Sequence, residues 1–147
     1  MPLYERIAED LKKAMKAKDT LRISCIRMLK SSLKHKQAER GEILRDEEIQ
    51  TLISSLIRKG REAAEEFRKG GREDLAVKEE GEIDILYGYL PEQIKPDEIE
   101  SIVKEAISEL SAESMKDLGK VMKVAMNRIA GRAQGKEVNE IAKKLLS

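Results

Sequence analysis

The stretch Ile49–Phe67, IQTLISSLIRKGREAAEEF, decides the fold class. Ile49, Leu52, Ile53, Leu56, Ile57, Gly60, Ala63, Ala64 and Phe67 return at steps of three and one over roughly five helical turns. This is the one-face pattern of an amphipathic α-helix, and strand alternation does not fit it. The intervening positions are mostly Glu, Arg, Lys and Ser, which suit a solvated face.

The same rhythm extends in both directions. Upstream, Leu3, Ile7, Leu11, Ala14 and Met15 form one face of a first helix ending near Lys18. Asp19 is placed to cap a second helix, in which Leu21, Cys25, Met28, Leu29 and Leu33 recur until Gly41 stops it. Downstream, Gly70-Gly71 breaks the third helix. A fourth is predicted from about Glu73 to Leu90, its charged first half projecting into solvent and Ile83, Leu86, Tyr89 and Leu90 packing. Pro91 and Pro96 in "YLPEQIKPDEIE" (Tyr89–Glu100) then mark a boundary. Three short helices follow. They carry Ile99 to Leu110, Leu118 to Ile129 after the capping-box-like "SMKD" (Ser114–Asp117), and Val138 to Leu145. The expectation is an all-α protein, with an N-terminal domain of four helices over residues 1–92 and a three-helix domain over residues 97–147.

Composition bounds the function. Of 147 residues, 39% are charged and 3% aromatic, so aliphatic residues must fill the cores; Met15, Met28, Met115, Met122 and Met126 are assigned there. A formal net charge of +1 gives no global field toward nucleic acid. The charge is nevertheless segregated. Residues 1–40 carry 11 basic and 5 acidic groups, residues 41–96 carry 9 and 14, residues 97–114 carry 1 and 6, and residues 115–147 carry 8 and 3. The single cysteine, Cys25, excludes an internal disulfide. No apolar run is long enough for a membrane span and the N-terminal residues lack a signal-peptide core, so a cytoplasmic protein is expected.

Catalytic signals are weak. Cys25 lies on an apolar stripe and reads as a buried thiol. His35, the one histidine, lies at the polar end of a helix. The carboxylates show no metal-binding or acid–base spacing, and no cofactor is indicated. In "GRAQGKE" (Gly131–Glu137) the glycines are one residue too close for a P-loop, Glu137 follows Lys136 where Ser or Thr is needed, and a helix precedes. The stretch reads as a corner between two helices. Around it lies the one chemical pattern of note. Lys116, Lys120, Lys123 and Asn127 share a helix face opposite Leu118, Val121, Met122, Ala125 and Ile129, and Arg128, Arg132 and Lys136 carry the charge through the corner. Such a stripe is either a solvated helix face or a contact surface for a nucleic-acid backbone, joined by the amides that open the last helix. With so few aromatics, base stacking is not the expected mode.

Five blocks in order, "SCIRMLKSSLK" (Ser24–Lys34), "GREDL" (Gly71–Leu75), "YLPEQI" (Tyr89–Ile94), "SMKDLGKVM" (Ser114–Met122) and "GRAQGKEVNEIAKKLL" (Gly131–Leu146), resemble the GatB/YqeY family. The resemblance implies an all-helical protein whose C-terminal domain is similar to the tail of GatB. GatB is a subunit of the tRNA-dependent amidotransferase, a carbon–nitrogen ligase with glutamine as amido donor, and its tail contacts the tRNA body. On that likeness Lys120, Lys123, Arg132 and Lys136 are RNA-contact candidates and Gly119, Gly131 and Gly135 are shape residues. Lys116 and Arg128 join the candidates from the stripe itself. The amidotransferase's catalytic domains have no counterpart here, so the implied role is accessory and non-catalytic. The expected partners are tRNA or another structured RNA, and an amidotransferase or other protein. Gln134 stands where Asp is expected in relatives and Lys95 where a Ser cap is expected. The alternatives are a helical protein–protein adaptor using Glu48–Lys69 and Glu73–Glu82, without RNA, and, last, an amidotransferase-linked enzyme in its own right.

Overall fold

A computed structural model describes residues 1–147. It contains seven α-helices and no strand: α1 (Leu3–Ala17), α2 (Thr20–Arg40), α3 (Asp46–Lys69), α4 (Glu73–Tyr87), α5 (Pro96–Leu110), α6 (Leu118–Ile129) and α7 (Gly135–Leu146). A 3₁₀ turn, Met115–Asp117, precedes α6. The protein is all-α. Its chain divides into two compact units, Met1–Leu90 and Pro91–Ser147.

In the first unit, α1 ends on Lys18 in the left-handed region, and the Asp19 carboxylate accepts the Arg22 amide at 3.1 Å to open α2. Gly41, at φ +74, closes α2. The first turn of α3 holds Asp46, Glu47 and Glu48, matched to the positive end of the helix dipole. Ile49, Ile53 and Ile57 are fully buried, with Ile7, Ile26, Leu29 and Leu33 of the preceding helices. The Leu3 amide donates to Asp46 at 3.1 Å, tying the start of α1 to the start of α3.

α3 and α4 form a helical hairpin through Gly70-Gly71, with Gly71 at φ +75. Buried Gly60 lets α4 come close: a Cβ there would lie 3.1 Å from Ile83 Cγ1. The charged first half of α4 also runs along α3, its acidic and basic side chains largely exposed. Ala76 is fully buried, and Arg68 of α3 reaches across to Glu73 and Glu80. The Arg68 guanidinium is displaced upward in pKa by its hydrogen bonds to Glu80 and Glu73, and Glu80 downward by its bond to Arg68. The fourth helix also stops at Tyr87 rather than Leu90. Gly88, Tyr89 and Leu90 turn away through i→i+3 bonds to Ile85, Leu86 and Tyr87. Buried Tyr89 donates its hydroxyl to Asp10 at 2.6 Å, with Arg6 over its ring; burial and that carboxylate push its phenol above the ordinary range.

The second unit is a three-helix bundle with a strictly spaced core. Ile99, Val103 and Ala106 of α5 meet Val121, Ala125 and Ile129 of α6 and Val138, Ala142 and Leu146 of α7. No aromatic residue is among them. Pro96 opens α5 at its first turn. The "SMKD" motif makes the 3₁₀ turn instead of starting the helix. Ser114 Oγ accepts from the Lys116 amide, while Asp117 reaches back to the Glu113 amide. The methionine assignment fails in part: Met15, Met28 and Met115 are 48%, 38% and 42% exposed, the first two at the edges of the apolar arcs of α1 and α2 and the third in the 3₁₀ turn ahead of α6.

Replacing Gly60 with Leu should force α3 and α4 apart and lower the unfolding free energy by about 1–3 kcal/mol. Urea unfolding checks this; an unchanged midpoint would show that the seam is not close-packed.

Candidate functional site

The corner between α6 and α7 is built by three local devices. α6 ends with Ala130 in the left-handed region (φ +49), followed by Gly131 at φ +82, so two residues turn the chain sharply. The Arg132 side chain then folds back. Its Nε donates to the Ile129 carbonyl at 2.8 Å and a terminal nitrogen donates to the Arg128 carbonyl at 2.8 Å. A guanidinium on the last carbonyls of a helix satisfies acceptors that have no intrahelical partner and complements the negative dipole end. Finally, the segment before α5 straps the corner. The Ile94 amide donates to the Arg132 carbonyl at 2.8 Å, and the Gln93 side-chain amide donates to the carbonyls of Gly131 (3.0 Å) and Pro91 (2.9 Å). Thus "YLPEQI" and "GRAQG", distant in sequence, are one structural element. Gln93 and Ile94 escape a reading of the sequence because their partners lie nearly forty residues away.

The six candidate cations separate into two kinds. Arg128 is engaged by Glu109 and lies 3.9 Å from Glu105, an ion pair that holds its pKa up. Arg132 is the helix cap just described. Lys116, Lys120, Lys123 and Lys136 are exposed. The ion pairs of this unit belong to Lys104 and Arg128, and none includes those four lysines. Lys120 and Lys123 are on α6 proper, about 60° apart around its axis and about 4.5 Å apart along it. Lys116 belongs to the 3₁₀ turn, so the helical spacing read for it does not hold. Lys136 is in the first turn of α7.

The three glycines also differ. Gly131 supplies the positive φ of the corner. Gly135 opens α7, where an added Cβ would meet only Met126 Cε at 3.8 Å. Gly119 is not a loop residue. It lies inside α6, exposed, with nothing within 4 Å of an added Cβ. Gln134 precedes α7 and is 7% exposed, yet its side chain makes no cap bond and its Nε2 is buried without a partner. The opening amides of α7 thus have no side-chain acceptor.

In the other unit, Cys25 is fully buried, its Sγ 3.6 Å from the Glu82 carbonyl. Burial first, and then the Glu82 charge, push its thiol up to about 12. At neutral pH it is protonated and enclosed, unsuited to nucleophilic chemistry. His35 is exposed, 3.1 Å from Glu39. No group of three or more His, Cys, Asp or Glu is arranged to hold a metal ion.

Comparison with known proteins gives a consistent affiliation. Proteins named "Altered inheritance of mitochondria protein 41, mitochondrial" are similar to this chain. That of Pyrenophora tritici-repentis is 34% identical over 134 residues, covering 90% of this chain and 74% of the relative. That of Lachancea thermotolerans is 44% identical over 85 residues, covering 57% and 46%. That of Saccharomyces cerevisiae strain YJM789 is 38% identical over 82 residues, covering 55% and 44%. The chain therefore spans less than half the length of the two yeast relatives. The cytoplasmic expectation is overturned here, since these relatives are named as mitochondrial proteins. It had rested on the lack of an apolar segment. No helix is indeed long and apolar enough to cross a membrane, but that property is common to aqueous compartments generally. A family model described as "Yqey-like protein" matches residues 4–146.

Two outcomes test this geometry. Arg132→Met should cost about 1–2 kcal/mol and accelerate hydrogen exchange at the end of α6, whereas an unchanged rate there would deny the cap. Cys25 should resist iodoacetamide at neutral pH in the folded chain and react promptly in denaturant, as followed by mass spectrometry.

Proposed function

This chain belongs to the Yqey-like protein family, and from that premise we propose that it is a non-catalytic accessory protein whose C-terminal unit docks tRNA or another structured RNA. The observation that carries this reading is the set of lysines without internal partners. Pro91–Ser147 holds ten Lys or Arg and ten Asp or Glu, so the unit is formally neutral. Within it, Arg128 and Lys104 are matched by glutamates, and Arg132 is bound to backbone. Seven lysines remain as exposed ammonium groups available to phosphates: the candidates Lys116, Lys120, Lys123 and Lys136, together with Lys95, Lys143 and Lys144. The opening amides of α7, uncapped by Gln134, add neutral donors beside Lys136.

The likeness of Met115–Met122 and Gly131–Val138 to the GatB tail supports the choice of tRNA as substrate class. It also supports a working context beside a glutamine-dependent amidotransferase. Recognition is by charge and contour, since unit Pro91–Ser147 has no aromatic side chain on which a base could stack. Exposed Gly119 would let a phosphate approach the α6 backbone between the lysines.

Fluorescence anisotropy with labelled tRNA tests the proposal. Log affinity should fall linearly with log salt. Lys120→Glu plus Lys123→Glu should weaken binding by more than about tenfold and flatten the salt slope by about 2, with helicity intact. Arg128→Ala should do much less, its charge being already matched. Absence of salt-dependent binding in the wild-type chain would end the RNA reading.

A further inference from the structure

The first unit carries a feature that RNA docking by the second does not use. A groove of about 610 Å³ lies where α1 ends and α2 begins, lined by Met15, Lys18, Thr20, Ile23, Ser24 and Arg27. On α2, Thr20, Ile23, Ser24 and Arg27 follow one another at helical spacing, facing away from the buried stripe of Cys25, Ile26, Leu29 and Leu33. We propose that this groove docks an acidic segment of a partner protein, with an aliphatic side chain of that segment seated against Met15 and Ile23 and its carboxylates on Lys18 and Arg27.

Each part of the surface argues for that chemistry. Met15 is 48% exposed although the helical rhythm of α1 places it beside core residues. An unbranched, polarizable side chain held out to solvent is suited to contacts that must adapt to a partner. Ile23 is half-buried beside it. Lys18 and Arg27 are exposed. The ion pairs of α1 and α2 are Lys12–Glu9, Arg22–Asp19, His35–Glu39 and those of Arg40, so neither groove cation is neutralised. Asp19, next to Lys18 in the chain, is committed to the Arg22 amide and guanidinium. Charge complementarity fixes the sign of the occupant, for residues 1–40 hold 11 basic and 5 acidic groups. The exposed hydroxyls of Thr20 and Ser24 can bond to carboxylates or to peptide groups.

Nucleic acid fits less well. None of the six lining residues is aromatic, so a base has no stacking face, and a phosphate backbone has no use for Met15 and Ile23. A carboxylate-rich segment with an aliphatic anchor uses all six.

The experiment is a methyl-NMR titration of the full chain, labelled at Met and Ile methyls. The probe is an acetylated peptide of three Glu-Glu-Leu repeats. Its controls are three Gln-Gln-Leu repeats, three Glu-Glu-Ser repeats and tRNA. The acidic-aliphatic peptide should shift Met15 and Ile23 saturably while Met122 and Met126 stay in place. Arg27→Glu, at an exposed position, should weaken binding about five- to tenfold, and a Lys-Lys-Leu repeat peptide should gain on that variant. Four results would overturn the proposal. These are no shift at Met15 and Ile23, an equal response to the neutral peptide, tRNA moving the same methyls at lower concentration, or shifts that follow protein concentration alone, which would mark a self-association face.

Discussion

Arg132 makes the C-terminal unit a defined surface. Its side chain closes the carbonyl end of α6, and its own carbonyl receives the Ile94 amide from the strap ahead of α5. One residue thus joins all three parts of the unit: the strap that leads into α5, the end of α6 and the turn into α7. Gln93 reinforces it from the same strap, donating to the Gly131 carbonyl in the corner and to the Pro91 carbonyl of the strap itself. Without this stitching, the Gly131–Gly135 corner would be a flexible link, and Lys136 would have no fixed place beside α6. A charge that recognises contour must be held on a rigid frame.

The helical architecture is legible because 3.6-residue periodicity is local information. Ile49, Ile53 and Ile57 announce their buried face without reference to anything distant. The breaks at Gly41 and Gly70-Gly71 are equally local, since a glycine that ends a helix does so through its own backbone freedom. The misreadings occur where a distant partner decides. The charged start of α4 keeps its charged side chains in solvent as its letters suggest, but buried Ala76 and the reach of Arg68 hold its backbone along α3. Tyr89 fits the helical rhythm but turns out of the helix with its hydroxyl on Asp10. Arg128 and Arg132 are indistinguishable from Lys120 and Lys123 as letters, and only their partners, Glu109 and the α6 carbonyls, separate structural charges from available ones. The compartment was least legible, because nothing in a charge-rich helical composition depends on which aqueous phase surrounds it.

Net charge is a poor guide to this molecule. Both the whole chain and its C-terminal unit are close to neutral, yet six acidic groups and one lysine fall in residues 97–114 while the unmatched lysines follow on α6 and α7. Neutrality here comes from segments of opposite sign, and only charges farther apart than a Debye length of about 8 Å are screened from one another. The first unit repeats the arrangement, with basic α1 and α2 beside the Glu-rich α3 and α4.

The all-aliphatic interior of the C-terminal bundle has a practical corollary. Tyr4, Phe67, Tyr87 and Tyr89 all belong to Met1–Leu90. Intrinsic fluorescence and near-ultraviolet dichroism therefore watch one half of the chain alone. The other half could melt, or tighten around a ligand, in optical silence, so a tyrosine-monitored transition would describe the wrong partner in the very event it was meant to follow.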